Sequence, residues 1–501
     1  MALAGIDIGT SGCKCSVMTP DGRLLAESYR AYPALREGGR HELDAGLLWD
    51  AVRHTLGGAA RQSPQKIEAV CVTSFGESCV LVGRDGEPLC PVMLYTDQRG
   101  AAESRSLASR LAPERIFELT GHTASPAYFL PKLMWYRQNE PELYGKIAKI
   151  LPVAAYAAFR LCGEAAADYS LAARTMMLDV RQKRWCDEVL AASETDRALL
   201  PQPLPAGTCL GTVRTDVARE LGLGEGVSVV LGCHDQVACA IGSGALRAGS
   251  AVNGSGTVEC VTPVFDRIPE PAPMLRGSFA VVPATSGLYV TYAYIYTGGA
   301  LLQWFRECFG AELEPRAIAE GKSVFALLDE QVRRNPTGLL VLPHFAGAAT
   351  PYMDNDASGA IIGLRLEHGF HDVYQSLLEG VCYEMRLCLD ILRDAGITVS
   401  SMRATGGGSR SAPWNRMKAD IWNAELQTID RREAGACGTI LLAATAAGAY
   451  PSLDAAMSSV RISECFEPSE DRERFAPHLE RYRRVYEAVK YIENTKTGGN
   501  L

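Results

Sequence analysis

No C-x-x-C pair, no H-E-x-x-H and no apolar run of spanning length occur in this sequence. A membrane-crossing helix needs roughly 18 or more uninterrupted apolar residues, so none is expected. The N-terminus lacks a basic segment followed by an apolar run, so no signal peptide is expected. Basic residues are in deficit, with a formal net charge of −8. A nucleic-acid partner is thereby disfavoured, since neutralising phosphates needs a basic surface. A small anionic ligand is still compatible, because it needs only a local field. The sixteen cysteines have no disulfide or metal-ligand spacing. They read as small buried hydrophobes in a reducing compartment, and the chain as soluble and cytoplasmic. Eight histidines are scattered without ligand spacing, which argues against zinc.

What is present is ordinary globular composition, 47% hydrophobic and 22% charged over 501 residues, enough for more than one domain. Strand, helix and strand alternate along the chain, which predicts an α/β fold. Three short strands are expected between residues 3 and 30, the first ending at Gly9 and the third opening at Leu24 after the turn "TPDGR". A helix follows Asp44, and "IEAVCVTSF" (Ile67 to Phe75) reads as a buried strand. "PQPLPAGT" (Pro201 to Thr208) and "DRIPEPAPM" (Asp266 to Met274) read as breakers. A long amphipathic helix spans about His371 to Ala395, stopped by Gly396. The tail "NTKTGGNL" reads as frayed.

Several stretches carry chemistry. "GIDIGTSGCKCS" (Gly5 to Ser16) is a strand, a tight polar turn and a second strand, with Asp7 facing away from Ile6 and Ile8. "AVNGSGTVECVTPV" (Ala251 to Val264) repeats that pattern at the start of the second half. Two such turns facing each other could hold a polyphosphate from both sides. Asp235 in "GCHDQ" ends the buried strand "VSVVL", where open α/β sheets bind ligands; capping the next helix is its commoner role, general base the functional one. "ATGGGSRSAPWNRMKADIW" (Ala404 to Trp422) and "YTGGALLQWFRE" (Tyr296 to Glu307) place glycines before helix N-termini, suited to an anion or to a plain flexible loop. Glu77, Asp97 and Arg99 follow strand-like runs and suit a polyhydroxylated ligand, though solvated loop charge is more usual. "EGKS" (Glu320 to Ser323) has Arg316 where a P-loop needs glycine, and "GLGEG" (Gly222 to Gly226) reads as a helix stop.

Together these motifs resemble the FGGY carbohydrate kinases, a sugar-kinase branch of the actin-like ATPases, from Gly5 to about Glu467. "DIGTS" resembles the first phosphate motif, "NGSGT" the second and "TGGGSRSAPWNRMKAD" the adenosine motif. "PKLMWYRQNEPE" and the stretch from "GAIIGL" to "VYQSLLEG" are similar to the two family signatures. The resemblance implies two duplicated ribonuclease H-like domains flanking a catalytic cleft. Residues 1–243 would form the sugar side, 244–467 the nucleotide side and 468–501 a helical extension, which offers a surface for a homodimer. It also implies ATP, Mg²⁺ and a small sugar or polyol. Asp235 would be general base and, with Asp7, metal-side carboxylate. Thr10, Ser11, Gly256 and Thr257 would meet phosphates, and Gly299, Gln303, Gly407, Gly408 and Ser411 would line the nucleotide pocket. Glu77, Asp97, Arg99 and Gln236 would face the sugar.

The specificity signals are mixed. Asp97 and Arg99 resemble a W-x-D-x-R pattern of pentulose kinases, with Tyr95 in place of Trp. "SFGES" departs from the M-H-G of xylulose kinases, and its Glu77 resembles half of the Arg-Glu pair of glycerol kinases, with Gly76 in the arginine's place. A ketopentose such as xylulose is the expected acceptor. A polyol of the glycerol or erythritol kind is the alternative. A non-kinase actin-like ATPase scaffold would share the phosphate hairpins but would not need acids on the sugar side, and a silent sugar-binding relative would not require Asp7, Asp235 and both Gly-Thr turns together.

Overall fold

Alternating apolar positions at the start of the chain form an antiparallel meander of β1 (Ala2–Ile8), β2 (Gly12–Met18) and β3 (Leu24–Ala31). This is a computed structural model, and it describes residues 1–285, 287–430 and 433–496. β4 (Ile67–Ser74) pairs parallel with β1, setting Thr73 beside Asp7. β5 (Cys209–Thr212) and β6 (Ser228–His234) complete a six-stranded sheet in the order β5-β6-β4-β1-β2-β3. The second half repeats the plan. β7 (Ser250–Ser255) and β8 (Glu259–Phe265) form an antiparallel hairpin, and β9 (Ser401–Thr405) and β10 (Glu425–Ile429) add in parallel on the β7 side. β11 (Ile462–Phe466) closes that edge antiparallel to β10. Thus β2-β1-β4-β6 and β8-β7-β9-β10 share one connectivity, and the echoed motifs occupy matching turns.

Helices cover the sheets. α1 (Ala45–Gln62) starts where Asp44 accepts from the Leu47 N–H at 3.0 Å, α2 (Asp235–Gly242) follows β6 directly, and α3 (Gly299–Phe309) begins at the paired glycines. α4 (Phe370–Asp394) is the expected long helix, with Leu377, Val381 and Met385 fully buried and Gly396 at φ 89° beyond its end. Each of those side chains contributes about 1.5–3 kcal/mol by leaving water. α5 (Ala412–Trp422), α6 (Ala434–Ala446), α7 (Arg472–Tyr482) and α8 (Val485–Lys496) follow. Among the described residues no helix is long and apolar enough to cross a membrane.

The structure departs from the expected organisation in several places. The break near 243 separates the two sheets, but α6 leaves the second half and packs on the first sheet. Cys437, Ile440 and Leu441 share a core with Val70, Val230 and Ile241. Small residues permit this: a methyl group on Gly5 would lie 2.2 Å from Thr439 Oγ1, and one on Gly438 would lie 1.9 Å from Ala238 O. The second breaker contains a short helix, Pro271–Arg276, because proline at a first helical position loses no hydrogen bond. The first contains a short strand, Gln202–Leu204. Asn494 to Lys496 belong to α8, and the rest of the tail lies outside the described residues. Cys13, Cys15, Cys233, Cys382 and Cys388 are buried as expected, whereas Cys209, Cys308 and Cys465 are exposed.

Candidate active site

The β1–β2 turn is tight because the Gly9 N–H donates to Gly12 O at 2.9 Å, and Tyr32 braces it with a hydroxyl on Gly9 O at 2.5 Å. Thr10 and Ser11 line a cavity of about 170 Å³ with Tyr32, Arg36, His41 and Tyr95. A larger hollow of about 570 Å³, lined by Asp21, Arg23, Asp430 and Arg461 among others, lies by the turn at the other end of β2 and holds none of the expected residues.

Asp235 is the first residue of α2. His234, not Asp235, is the N-cap, and it makes no side-chain capping bond, so capping does not explain the acid. Asp235 Oδ1 is covered, has no hydrogen-bond partner among the described residues and sits 3.3 Å from His234 Nε2. A third of the side chain stays open. Burial pushes the carboxyl up to about 7, with the Asp7 charge adding to it, while Gln236 and Arg174 pull the other way. Asp7 is pushed up to about 6, first by burial and then by Glu433, against the pull of Lys14. Lys14 is itself drawn off, 3.4 Å from Glu433 and 3.8 Å from Glu27. Lys14 and Arg174 thus offset the burial of these two acids only in part. Among the described residues no group of three or more His, Cys, Asp or Glu could hold a metal alone, so phosphate oxygens and water would have to complete its shell.

The sugar-side residues separate into two kinds. Glu77 faces the base region: it adopts a left-handed φ of 61°, at a cost of about 1–2 kcal/mol for a residue with a Cβ, and pairs with Arg174. Asp97 and Arg99 instead bond to each other. Asp97 is fully buried; its Oδ1 accepts from Arg99 N at 3.0 Å and Nε at 2.9 Å, and its Oδ2 from His41 N at 2.8 Å and Arg99 Nη2 at 2.6 Å. Burial works to raise its carboxyl, but these donors outweigh it and hold it below the usual range. Arg99 also bonds Glu42 and stacks 5.2 Å over Trp135. The pair therefore fixes the loop that presents Tyr95. Gln236 crosses between the halves, its Oε1 accepting from Thr262 Oγ1 at 3.4 Å.

On the other side, glycines bring three segments together. The Gly299 N–H donates to Gly256 O at 2.8 Å and the Ala300 N–H to Thr257 O at 3.0 Å, so α3 starts directly on the β7–β8 turn. A methyl group on Gly299 would lie 2.4 Å from Gly256 O, and one on Gly408 would lie 2.6 Å from Ser255 Cβ; Gly407 faces open space. Ser411 caps α5, accepting from the Trp414 N–H at 3.3 Å, and Gln303 donates to Glu307 at 2.7 Å. Beneath the turn lies a fully buried pair that sequence reasoning passed over. Lys418 Nζ donates to Glu259 Oε1 at 2.6 Å, Ser255 Oγ at 2.5 Å and Asn253 Oδ1 at 3.0 Å, tying α5 to the hairpin. Arg174 was also missed. Its only signal is a lone charge inside the apolar run "LAARTMML".

The model of the FGGY family of carbohydrate kinases, N-terminal domain, matches residues 2–242, and that of its C-terminal domain matches 252–447. The chain is 29% identical over 492 residues to the xylulose kinase of Escherichia coli (strain K12), covering 97% of this chain and 98% of that protein. It is 25% identical over 477 residues to the gluconokinase of Bacillus subtilis (strain 168), covering 94% and 92%. The ligand-bound xylulose kinase structure from Lactobacillus acidophilus superposes with a TM-score of 0.86 at 21% identity, covering 99% of each chain, and shares the two-domain α/β fold.

Proposed function

We propose that this chain, which belongs to the FGGY family of carbohydrate kinases, phosphorylates a ketopentose such as xylulose with Asp235 as general base. Membership makes it a phosphotransferase that takes ATP and a small sugar. The xylulose kinase relatives support the substrate. The observation that carries the mechanism is the unpartnered Oδ1 of a carboxylate at a strand end, deep but partly open.

Asp235 accepts the proton of the attacking hydroxyl as that oxygen bonds to the γ-phosphorus and ADP departs. The base must be ionised first, and Arg174 and Gln236 favour that form. Thr10 and Ser11 receive the transferred group on the first turn. Gly256 and Thr257 hold the nucleotide phosphates on the second, and Gly299, Gln303, Gly407, Gly408 and Ser411 flank the nucleoside. Phosphoryl transfer asks for positioning and charge neutralisation more than covalent help, which hydroxyls and glycine N–H groups supply. Asp7 and Asp235 would hold Mg²⁺, which when bound neutralises charge on the transferring group.

A polyol kinase is the second reading, favoured by the pairing of Glu77 with an arginine. ADP release with ATP and Mg²⁺ across ketopentoses, ketohexoses, aldoses and polyols separates the two. Xylulose or another ketopentose is expected to give the highest kcat/KM. Glycerol or erythritol in first place replaces the ketopentose reading, and silence across the panel with ATP binding intact refutes both.

A further inference from the structure

The mechanism above uses Arg174 only for its charge beside Asp235 and leaves its ion pair with Glu77 without a task. Glu77 and Arg174 are only 10% and 12% exposed. Gly76 stands where glycerol kinases carry an arginine, and the structure explains why it has no side chain. A methyl group there would lie 3.0 Å from Arg174 Cγ and 3.0 Å from His234 Cδ2. The guanidinium therefore reaches Glu77 through space that a side chain at 76 would fill.

Its approach is rigid. Arg174 follows the short helix Tyr169–Ala173, whose Ser170 Oγ donates to Asp168 at 2.6 Å and accepts from the backbone N–H of His234 at 2.8 Å. The turn carrying Arg174 is thus fastened to the strand end carrying Asp235. The rings of Tyr128 and Tyr292 each lie 5.2 Å from the guanidinium. Its Nε is covered and has no hydrogen-bond partner among the described residues. The ionisable groups that act on it are Tyr292, Tyr294 and Asp235, with the His234 ring alongside. Arg174 is balanced by Glu77, and Asp235 adds only negative charge.

We propose that the Arg174–Glu77 pair sets the substrate class of this kinase: its side chains bond the oxygens of an uncharged sugar, and because the guanidinium is already balanced the site rejects sugar acids. The inference rests on the reading of this cleft as a sugar site beside Asp235. A carboxylate bound here would meet Glu77 and Asp235 without a cation of its own, and that repulsion discriminates against sugar acids.

The test measures kcat/KM for gluconate and for the uncharged acceptor that the wild-type chain uses best, with ATP and Mg²⁺. Wild type is expected to favour the uncharged acceptor by about 100-fold or more. Glu77→Gln frees the guanidinium and is expected to move the ratio toward gluconate by about tenfold or more. Arg174→Gln is expected to lose about tenfold on the uncharged acceptor, mainly in KM, with no gain on gluconate. The double variant, neutral and without a cation, is expected to gain nothing on gluconate either. ATP-dependent thermal shifts report whether each variant is folded, and Glu77→Asp, which loosens the pair, replaces Glu77→Gln should that variant fail to fold. A wild type that prefers gluconate, or an unchanged ratio in the folded Glu77 variant, overturns the inference. A polyol as best acceptor removes the ketopentose reading yet leaves this one standing, measured with that polyol.

Discussion

A carboxylate that titrates near neutrality should write itself into the pH profile of this kinase. Asp235 is pushed up to about 7 by burial and by Asp7. With that value, about half of the free protein carries the base at pH 7, about one molecule in ten at pH 6 and about nine in ten at pH 8. Only the ionised form accepts a proton, so kcat/KM for the sugar is expected to fall about tenfold per pH unit below 7, measured with MgATP far below its KM so that the free enzyme is reported. An ordinary carboxylate near 4 would leave this range flat. Two perturbations follow. Asp7→Asn removes a raising neighbour, and saturating MgATP brings a cation to the acids, so both should move the acid limb to lower pH. The same groups couple stability to pH. Their folded values lie above the unfolded ones, so folding favours the neutral forms. Their contribution is complete at low pH and is lost as pH rises through about 6 for Asp7 and about 7 for Asp235. MgATP should therefore raise Tm more at about pH 8 than at about pH 6. A flat profile between about pH 5.5 and 8, or a limb unmoved by both Asp7→Asn and saturating MgATP, refutes this account of the cleft.

Asp235→Asn should keep the fold and ATP binding while turnover drops by about 100-fold or more, and near-wild-type turnover would remove Asp235 from the base role. Gly299→Ala forces the start of α3 off the β7–β8 turn, since the methyl would lie 2.4 Å from Gly256 O. At about 1–3 kcal/mol for overpacking, KM for ATP should rise by roughly 5- to 150-fold with KM for the sugar little changed; equal rises in both would refute that division of labour. Lys418→Met leaves Glu259 buried and uncompensated. Breaking such a pair costs about 3–5 kcal/mol, so a clear drop in Tm is expected; a melt within about 2 °C of wild type would show that the pair does not hold the hairpin.

How much of this was legible in the sequence depended on how far away each residue's partner lies. The two hairpins were readable because strand alternation and a Gly-Thr turn are local, and their duplication appeared as an echo within the chain. The nucleotide-side glycines were readable as a class, because close backbone approach leaves no other residue type. The partners of the polar side chains were not. Asp97 and Arg99 looked like free arms after a strand, yet Arg99 finds Asp97, Glu42 and Trp135, two of which come from distant segments. Ser411 looked like a ligand contact, and the sequence did not show that it also caps α5. α6 lies in the second half that the resemblance implied, while the fit of Gly5 against Thr439 that packs it on the first sheet is tertiary. Gly76 makes the sharpest case. As a sequence position it signified a missing arginine, and the expected consequence was a ketopentose in preference to glycerol. In three dimensions the gap is filled by Arg174, so the absent side chain is the condition for the one that is there. Position 76 alone reads as a loss, whereas a guanidinium beside Glu77 is delivered from another segment.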